Sequence, residues 1–565
     1  MGMLDFFKGK KEEVVITEGK IRPVVLLILD GYGLAPPSEG NAIELAKKPN
    51  IDGIYRTYPH GELHASGEVV GLPANEVGNT EVGHLNMGAG RTILQDLKRI
   101  NRSIELNEFN DVRAFVHAVA HIQKTGGRMH LMGLVGSGNV HSSMNHLYAL
   151  LDFCQKNGLK EVYLHLFTDG RDSPPTEGEG LIGQIEERLK NMGMGAIATV
   201  GGRYFGMDRD KRWERVEAAY KAMVLGRGEV ANSAVEAVKN AYARNETDEF
   251  VKPTVIIKEG KPTAVVADGD AAIFFNFRID RPRELTMALV MPDFERLKSF
   301  RFGYISDTEK AEGETTIKQT FNREKVVANL FLVTMTQYQE GLPVAEVAFP
   351  NEVVAKSLAV VIGESHLTQM HLSESEKERF VNYYFDGLRE EKQAGEEVVV
   401  VPSPHVPTYD KKPEMAVFTL VDEFKKAMAA DKYNFVVMNF ANADMVAHTG
   451  NLQASIKAIE FVDRAIGEVE AMVLAKNGTL LITADHGNAE ELLTYNSQGF
   501  FYTSKTGEKN TGHSSNLVPF LAINRVWQGK NVTLTRGTLG DVAPTVLGLL
   551  GVAVPAEMTG SNLLT

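Results

Sequence analysis

Short β-branched and aliphatic runs alternate with amphipathic stretches from Pro23 to the C-terminus, and this alternation constrains the fold more than any other feature. A run such as Val24 to Leu29 is the right length for a buried strand, and the amphipathic stretch after it supplies a covering helix. Repeated, the pattern implies an α/β fold with a mainly parallel sheet. Strands are expected at Val24 to Leu29, Arg128 to Val135, Val162 to Phe167, Ala196 to Val200, Ala271 to Phe277, Leu330 to Thr334, Glu397 to Val401, Phe435 to Phe440, Thr479 to Thr483 and Val518 to Ile523. Expected helices include Ser143 to Lys156, Lys211 to Val224, Leu452 to Ala475 and Leu539 to Leu550. With 565 residues the chain exceeds what one hydrophobic core serves, so two domains are expected.

Several function classes drop out on composition. The net charge of −13 disfavours nucleic acid held by bulk electrostatics, although a local basic pocket for a small anion stays open. One cysteine, Cys154, forms no internal disulfide and reads as a packed apolar residue in a reducing compartment. Aliphatic runs are far too short to span a bilayer. Met1 to Lys20 lacks an apolar core with a small-residue cleavage site, so the expected location is the cytoplasm, with no membrane partner.

In an open parallel sheet, ligands gather beyond the carboxyl ends of strands. Asp30 follows Val24 to Leu29, Asp444 and His448 follow Phe435 to Phe440, and Asp485-His486-Gly487 follows Thr479 to Thr483. Asp444 and His448, four apart, share a face if helical. With His513 these residues make a mixed oxygen and nitrogen set suited to Mn²⁺, Zn²⁺, Co²⁺ or Mg²⁺. Thr80, in Gly78-Asn79-Thr80-Glu81-Val82-Gly83-His84, is either a hydroxyl nucleophile or the start of a capped helix. The middle of the chain adds strand-end arginines suited to phosphate or carboxylate: Arg171 beside Asp172, then Arg203 and Arg209, then Arg278 and Arg281. His141 could bind or protonate a substrate oxygen. Arg212 and Arg283 fit surface salt bridges better. Gly178 to Gly183 matches a dinucleotide pattern but trails a proline loop, and reads as a helix start.

These motifs, together with Pro402-Ser403-Pro404, Lys412-Pro413-Glu414-Met415 and Ala441-Asn442-Ala443-Asp444-Met445-Val446, make the chain resemble the cofactor-independent phosphoglycerate mutases of the alkaline phosphatase superfamily. The resemblance runs from about Pro23 to the end. It implies two α/β domains: a discontinuous phosphatase-like, metal-binding domain from residues 21–94 and 351–565, and an inserted substrate domain at 97–348. Residues 1–20 are an extension without counterpart, and 301–324 reads as a surface insertion. Two divalent metals are implied, Mn²⁺ foremost with Mg²⁺ or Co²⁺ as alternatives, and no 2,3-bisphosphoglycerate. Asp444, His448 and His513 would hold one metal; Asp30, Asp485, His486 and Thr80 would hold the other. Substrate would meet His141, Arg171, Asp172, Arg203, Arg209, Arg278, Arg281 and, from the phosphatase side, Lys377. Thr80 stands where the family usually has serine.

The implied activity interconverts 3-phosphoglycerate and 2-phosphoglycerate through a phosphothreonine, with Asp172 exchanging protons with the substrate hydroxyls. A monomer is expected, with hinges near Gln95 and Phe349-Pro350 that close to exclude water. The alternatives are a phosphopentomutase or phosphomonoester hydrolase with the same metals, and a non-catalytic phosphometabolite sensor.

Overall fold

The computed structural model describes residues 22–297, 320–339, 341–493, 509–530 and 532–565. The chain divides into two compact units, one running up to Gln95 and resuming at Glu352–Thr565, the other Asp96–Asn351. The extension at 1–20 and most of 301–324 lie outside the described residues.

The first unit is built on an eight-stranded sheet. Val24–Leu29 is buried along its whole length because it sits between two parallel neighbours, Phe435–Phe440 and Thr479–Thr483. Ile28 is level with both Asn439 and Thr483, so the three chains leave the sheet side by side. Gln369–Glu374 lies parallel on the far side of Phe435–Phe440, with Glu396–Val401 beyond it. On the other flank Val518–Ile523 and His60–His64 pair antiparallel. The helix Leu452–Ala475 covers one face, its first turn fixed by the Asn451 side chain accepting from Ala454 N–H.

The second unit carries a nine-stranded sheet, again mostly parallel. Val162–Thr168 is central, between Met129–Val135 and Ala196–Gly202. Ala271–Phe274 and Phe331–Thr336 extend the parallel set, while Thr254–Lys258 pairs antiparallel with Ala196–Gly202. Cys154 is fully buried in this unit's core. Among the described residues no helix is long and apolar enough to cross a membrane.

Some elements differ from the sequence reading for identifiable reasons. The expected strand Ala271 to Phe277 ends at Phe274, because the Asn276 side chain accepts Leu134 N–H (2.9 Å) in place of a ladder carbonyl. The helix expected over Lys211 to Val224 is Trp213–Tyr220 continued by a wide π turn, Lys221–Leu225, that stops at Gly226 in left-handed backbone. The tail of the expected surface insertion is interior: Phe321 packs in the core, and Arg323 is buried, with Glu295 and the Met291 and Pro292 carbonyls as acceptors. Arg283 is likewise no surface residue; it is buried and donates to the Tyr338 carbonyl.

Candidate active site

The parallel register of the first unit brings Asp30, Asp444 and Asp485 to one edge of its sheet. Gly31, at φ +71°, allows the closeness: a Cβ there would meet Asp444 Cα at 2.7 Å. Asp444 N–H bonds the Asp30 carbonyl (3.0 Å), and Asp444 then enters the short helix Asn442–Ala447. His448 caps that helix, and its Nε2 lies 3.1 Å from Asp444 Oδ1. His513 Nε2 lies 3.4 Å from the same oxygen and 3.2 Å from His448 Nε2.

Thr80 is the first residue of the helix Thr80–Ala89, whose cap, Asn79, accepts Val82 N–H (2.9 Å). Helix start and candidate nucleophile are therefore the same position. The hydroxyl sits at the positive end of the helix dipole, 2.9 Å from His486 Nε2 and 3.4 Å from Lys377 Nζ. Gly83 lets the helix press on Asp485, since a Cβ there would meet Asp485 Cβ at 2.7 Å. Lys377 Nζ donates to Asp30 Oδ1 (2.8 Å) and Asp444 Oδ2 (2.7 Å). Burial opposes its charge, yet these two carboxylates outweigh burial and hold the ammonium protonated. Lys377 was reachable only through the family resemblance, because Ser373 to Lys377 reads as solvated charge.

Three fully buried carboxyl groups crowd this pocket beside Lys377 and, against Asp444, the His448 imidazole. Burial, then the Asp30 charge, pushes the Asp485 carboxyl well above its ordinary range, and Asp485 Oδ2 is buried without a hydrogen-bond partner. Burial drives His84 down to about 3 and His486 well below the ordinary imidazole value, so both rings are neutral. Asp444 with His448 and His513, Asp30 with Asp444 and His486, and Asp30 with His84 and Asp485 each bring ligand atoms within 4.8 Å of one another. Neutral imidazoles, buried carboxylates and an unsatisfied oxygen are what divalent cations require, so these residues fit a pair of such ions. His84 escaped the sequence reading. It lies four residues after Thr80, bonds the Thr80 carbonyl through Nδ1 (2.9 Å), and sits 3.5 Å from Asp485 Oδ2.

The second unit gathers the other predicted residues. Arg203 is buried at the end of Ala196–Gly202, held by Asp169 (2.6 Å) and Asp172 (2.5 Å). His141 lies 3.6 Å from both Asp172 and Asp280, and its carbonyl accepts from the Phe277 and Arg278 N–H groups. Burial is the main reason that imidazole is depressed. Arg209 pairs with Asp280 (2.8 Å), Arg278 lies 3.5 Å from the same carboxylate, and Arg171 is half exposed, 3.8 Å from Glu249. Arg281 donates to the Met207 carbonyl (3.1 Å); burial, then Arg203 and Arg209, lowers it to about 10. Asp169 and Asp280 were not singled out from sequence, although Asp169 stands two residues before Arg171 and Asp280 between Arg278 and Arg281. Arg212 does pair at the surface, with Asp210.

Comparison with known proteins follows this geometry. A family described as "BPG-independent PGAM N-terminus" matches residues 100–340. A 2,3-bisphosphoglycerate-independent phosphoglycerate mutase of Clostridium beijerinckii is 45% identical over 543 residues, 96% of this chain and 99% of that one. One from Moorella thermoacetica is 46% identical, covering 96% and 98%. Among solved structures, Leishmania mexicana phosphoglycerate mutase, crystallised at low cobalt concentration, superposes with a TM-score of 0.61 at 29% identity, over 97% of this chain and 98% of that one.

Proposed function

Because this chain belongs to the 2,3-bisphosphoglycerate-independent phosphoglycerate mutase family of isomerases, we propose that it interconverts 3-phosphoglycerate and 2-phosphoglycerate through a phosphothreonine at Thr80. The observation that carries the proposal is the Thr80 hydroxyl, fixed at a helix N-terminus 2.9 Å from His486 Nε2 and within reach of Lys377.

Asp444, His448 and His513 would hold one divalent cation, and Asp30, Asp485, His486 and Thr80 a second, Mn²⁺ in preference to Mg²⁺ or Co²⁺. Such ions supply charge neutralisation at a transferring phosphoryl group and lower the pKa of a bound hydroxyl. In the forward step Thr80 Oγ1, its proton given up to solvent, bonds to phosphorus as the bond from the 3-oxygen to phosphorus breaks and the 3-oxygen takes up a proton. The helix N-terminus and Lys377 stabilise the negative oxygens. Arg171, Arg203, Arg209, Arg278 and Arg281 retain the glycerate by forked hydrogen bonds while it turns, and the 2-oxygen then takes the phosphoryl group back. Asp172, bonded to Arg203 with His141 beside it, would give a proton to the departing 3-oxygen and take one from the attacking 2-hydroxyl. The reaction belongs in the cytoplasm, where a lone buried thiol such as Cys154 needs no partner.

A phosphorus NMR time course with 3-phosphoglycerate, run with Mn²⁺, Mg²⁺ and Co²⁺ in turn, tests the reading. Growth of 2-phosphoglycerate without inorganic phosphate is expected. Phosphate release exceeding isomerisation would make the enzyme a hydrolase, and binding without turnover would make it a sensor.

A further inference from the structure

A second group of metal-type donors lies away from the reacting residues. The strand Gln369–Glu374 leads into Lys377 and then into a wide π turn, Phe380–Tyr384, that supports the Thr80 helix; a Cβ at Gly88 would collide with the Phe385 carbonyl. His371 points from that strand and is 1% exposed, Asp386 follows the turn at 2%, and Glu396 opens the neighbouring strand level with Gln369. One ligand atom from each of the three lies within 4.8 Å of the others. Asp386 Oδ1 and Glu396 Oε1 are both buried without a hydrogen-bond partner, and the Asn382 side chain, on the same turn, faces His371. Orphaned acceptors are rare in folded proteins, and two carboxylate oxygens facing one buried imidazole call for a cation.

The surroundings prepare the imidazole for that role. Gln369 Nε2 donates to the Ala359 carbonyl (2.8 Å), which turns Gln369 Oε1 toward His371 Nε2 at 3.3 Å. An Nε2–H tautomer donates there and leaves the Nδ1 lone pair directed at Asp386 Oδ1, 3.6 Å away, with the Val381 carbonyl at 3.1 Å. The opposite tautomer donates from Nδ1 to the Val381 carbonyl, so only the first leaves Nδ1 free for a cation. Glu396 Oε2 is fixed by Gln393 N–H (2.6 Å), which aims Oε1 inward. The Arg389 guanidinium acts on Asp386 electrostatically but donates to the Val354 and Ala355 carbonyls. Without a cation, burial and then Glu396 push the Asp386 carboxyl up to about 9.

We propose that His371, Asp386 and Glu396 hold a structural divalent cation, of the Mn²⁺ or Zn²⁺ class, that pins the segment carrying Lys377. One nitrogen with two carboxylate oxygens is an intermediate-to-hard donor set. The test uses the full chain stripped with chelator and reloaded with Mn²⁺ alone or Zn²⁺ alone. An anomalous difference map should show a peak bonded to Asp386 and Glu396, apart from any peak at Asp444 or Asp485. Metal content should fall by one equivalent in the Asp386→Asn, Glu396→Gln double variant. If the peaks around Asp444 fill with both metals while this place stays empty, the proposal is overturned and the two acids share a proton instead. Equal metal content in variant and parent would overturn it too. Should the variant fail to fold, the map of the unaltered chain decides.

Discussion

The pocket around Thr80 is buried and the cluster around Arg203 opens to solvent through Arg171, Arg209 and Arg278, and the two settle their charge in opposite ways. Asp30, Asp444 and Asp485 meet one ammonium and, at Asp444, the His448 imidazole, and Asp485 Oδ2 is left without a hydrogen bond. Around Arg203 the basic groups come with their own acids: Asp169 and Asp172 on Arg203, Asp280 on Arg209 and near Arg278. The first arrangement is incomplete without cations from outside. The second is a prepared frame in which Arg171, Arg278 and Arg281 have only loose or carbonyl partners and can turn to an anion. This difference supports the proposed reaction, with metal and phosphoryl carriage in one unit and recognition of the organic acid in the other.

The sharpest way to break this division is to remove the hydroxyl. Thr80→Ala should lower kcat by on the order of 10⁴-fold or more, measured by coupled assay. Mn²⁺ affinity in calorimetry should fall by less than about tenfold, because the carboxylates and imidazoles remain. Turnover near the parent's rate would remove Thr80 from the reaction. The converse cut is Arg203→Lys, which keeps the charge but loses the planar guanidinium whose Nη1 bonds both Asp169 and Asp172. It should lower kcat/KM by about 10²-fold with Mn²⁺ binding unchanged. Loss of metal binding in that variant would show that the two regions are not separable.

The comparison also predicts different pH responses. Burial opposes protonation of His448, but the Asp444 carboxylate prevails and raises it from 6.5 to about 9. In the metal-free chain, stability from this pair is therefore fully present below 6.5 and lost as pH rises through about 9. A cation needs the neutral ring, so apparent Mn²⁺ affinity should fall about tenfold for each pH unit below 9, per proton displaced. Chelator should abolish turnover, and added Mn²⁺ should restore it with that pH dependence. Anion binding by the arginines, followed at saturating metal, should stay flat between about pH 6.5 and 8.5. Affinity for Mn²⁺ that does not change with pH would mean that His448 is not a ligand.

Much of this was readable from sequence, for physical reasons that also mark where reading stopped. Val24 to Leu29 is aliphatic throughout, so its location was plain, and the polar residue at its end had nowhere to go but the sheet edge. The same held for Asp444 and Asp485. Gln369–Glu374 was missed because its buried positions include Gln369, His371, Ser373 and Glu374, whose burial depends on partners distant in sequence. Lys377 fails the same test, since a lysine 3% exposed is stabilised by Asp30 and Asp444, both far away in sequence. Arg283 and Arg323 were read as surface because hydropathy cannot anticipate the backbone carbonyls that receive them.

The smallest expected effect concerns the methyl group that distinguishes Thr80 from the serine usual in the family. A β-branched side chain at a helix start has few rotamers, so the methyl helps hold Oγ1 near His486 Nε2. The same methyl crowds the path by which phosphorus approaches. Thr80→Ser removes both effects, and because Lys377 and His486 still flank the hydroxyl, loss of crowding should prevail. We expect kcat to rise by about twofold to threefold, with KM unchanged, in steady-state assays, under about 0.7 kcal/mol in the barrier. A drop beyond about tenfold would show instead that the rotamer, not the approach, limits transfer, and would tie the pocket's rate to the pre-ordering of one side chain.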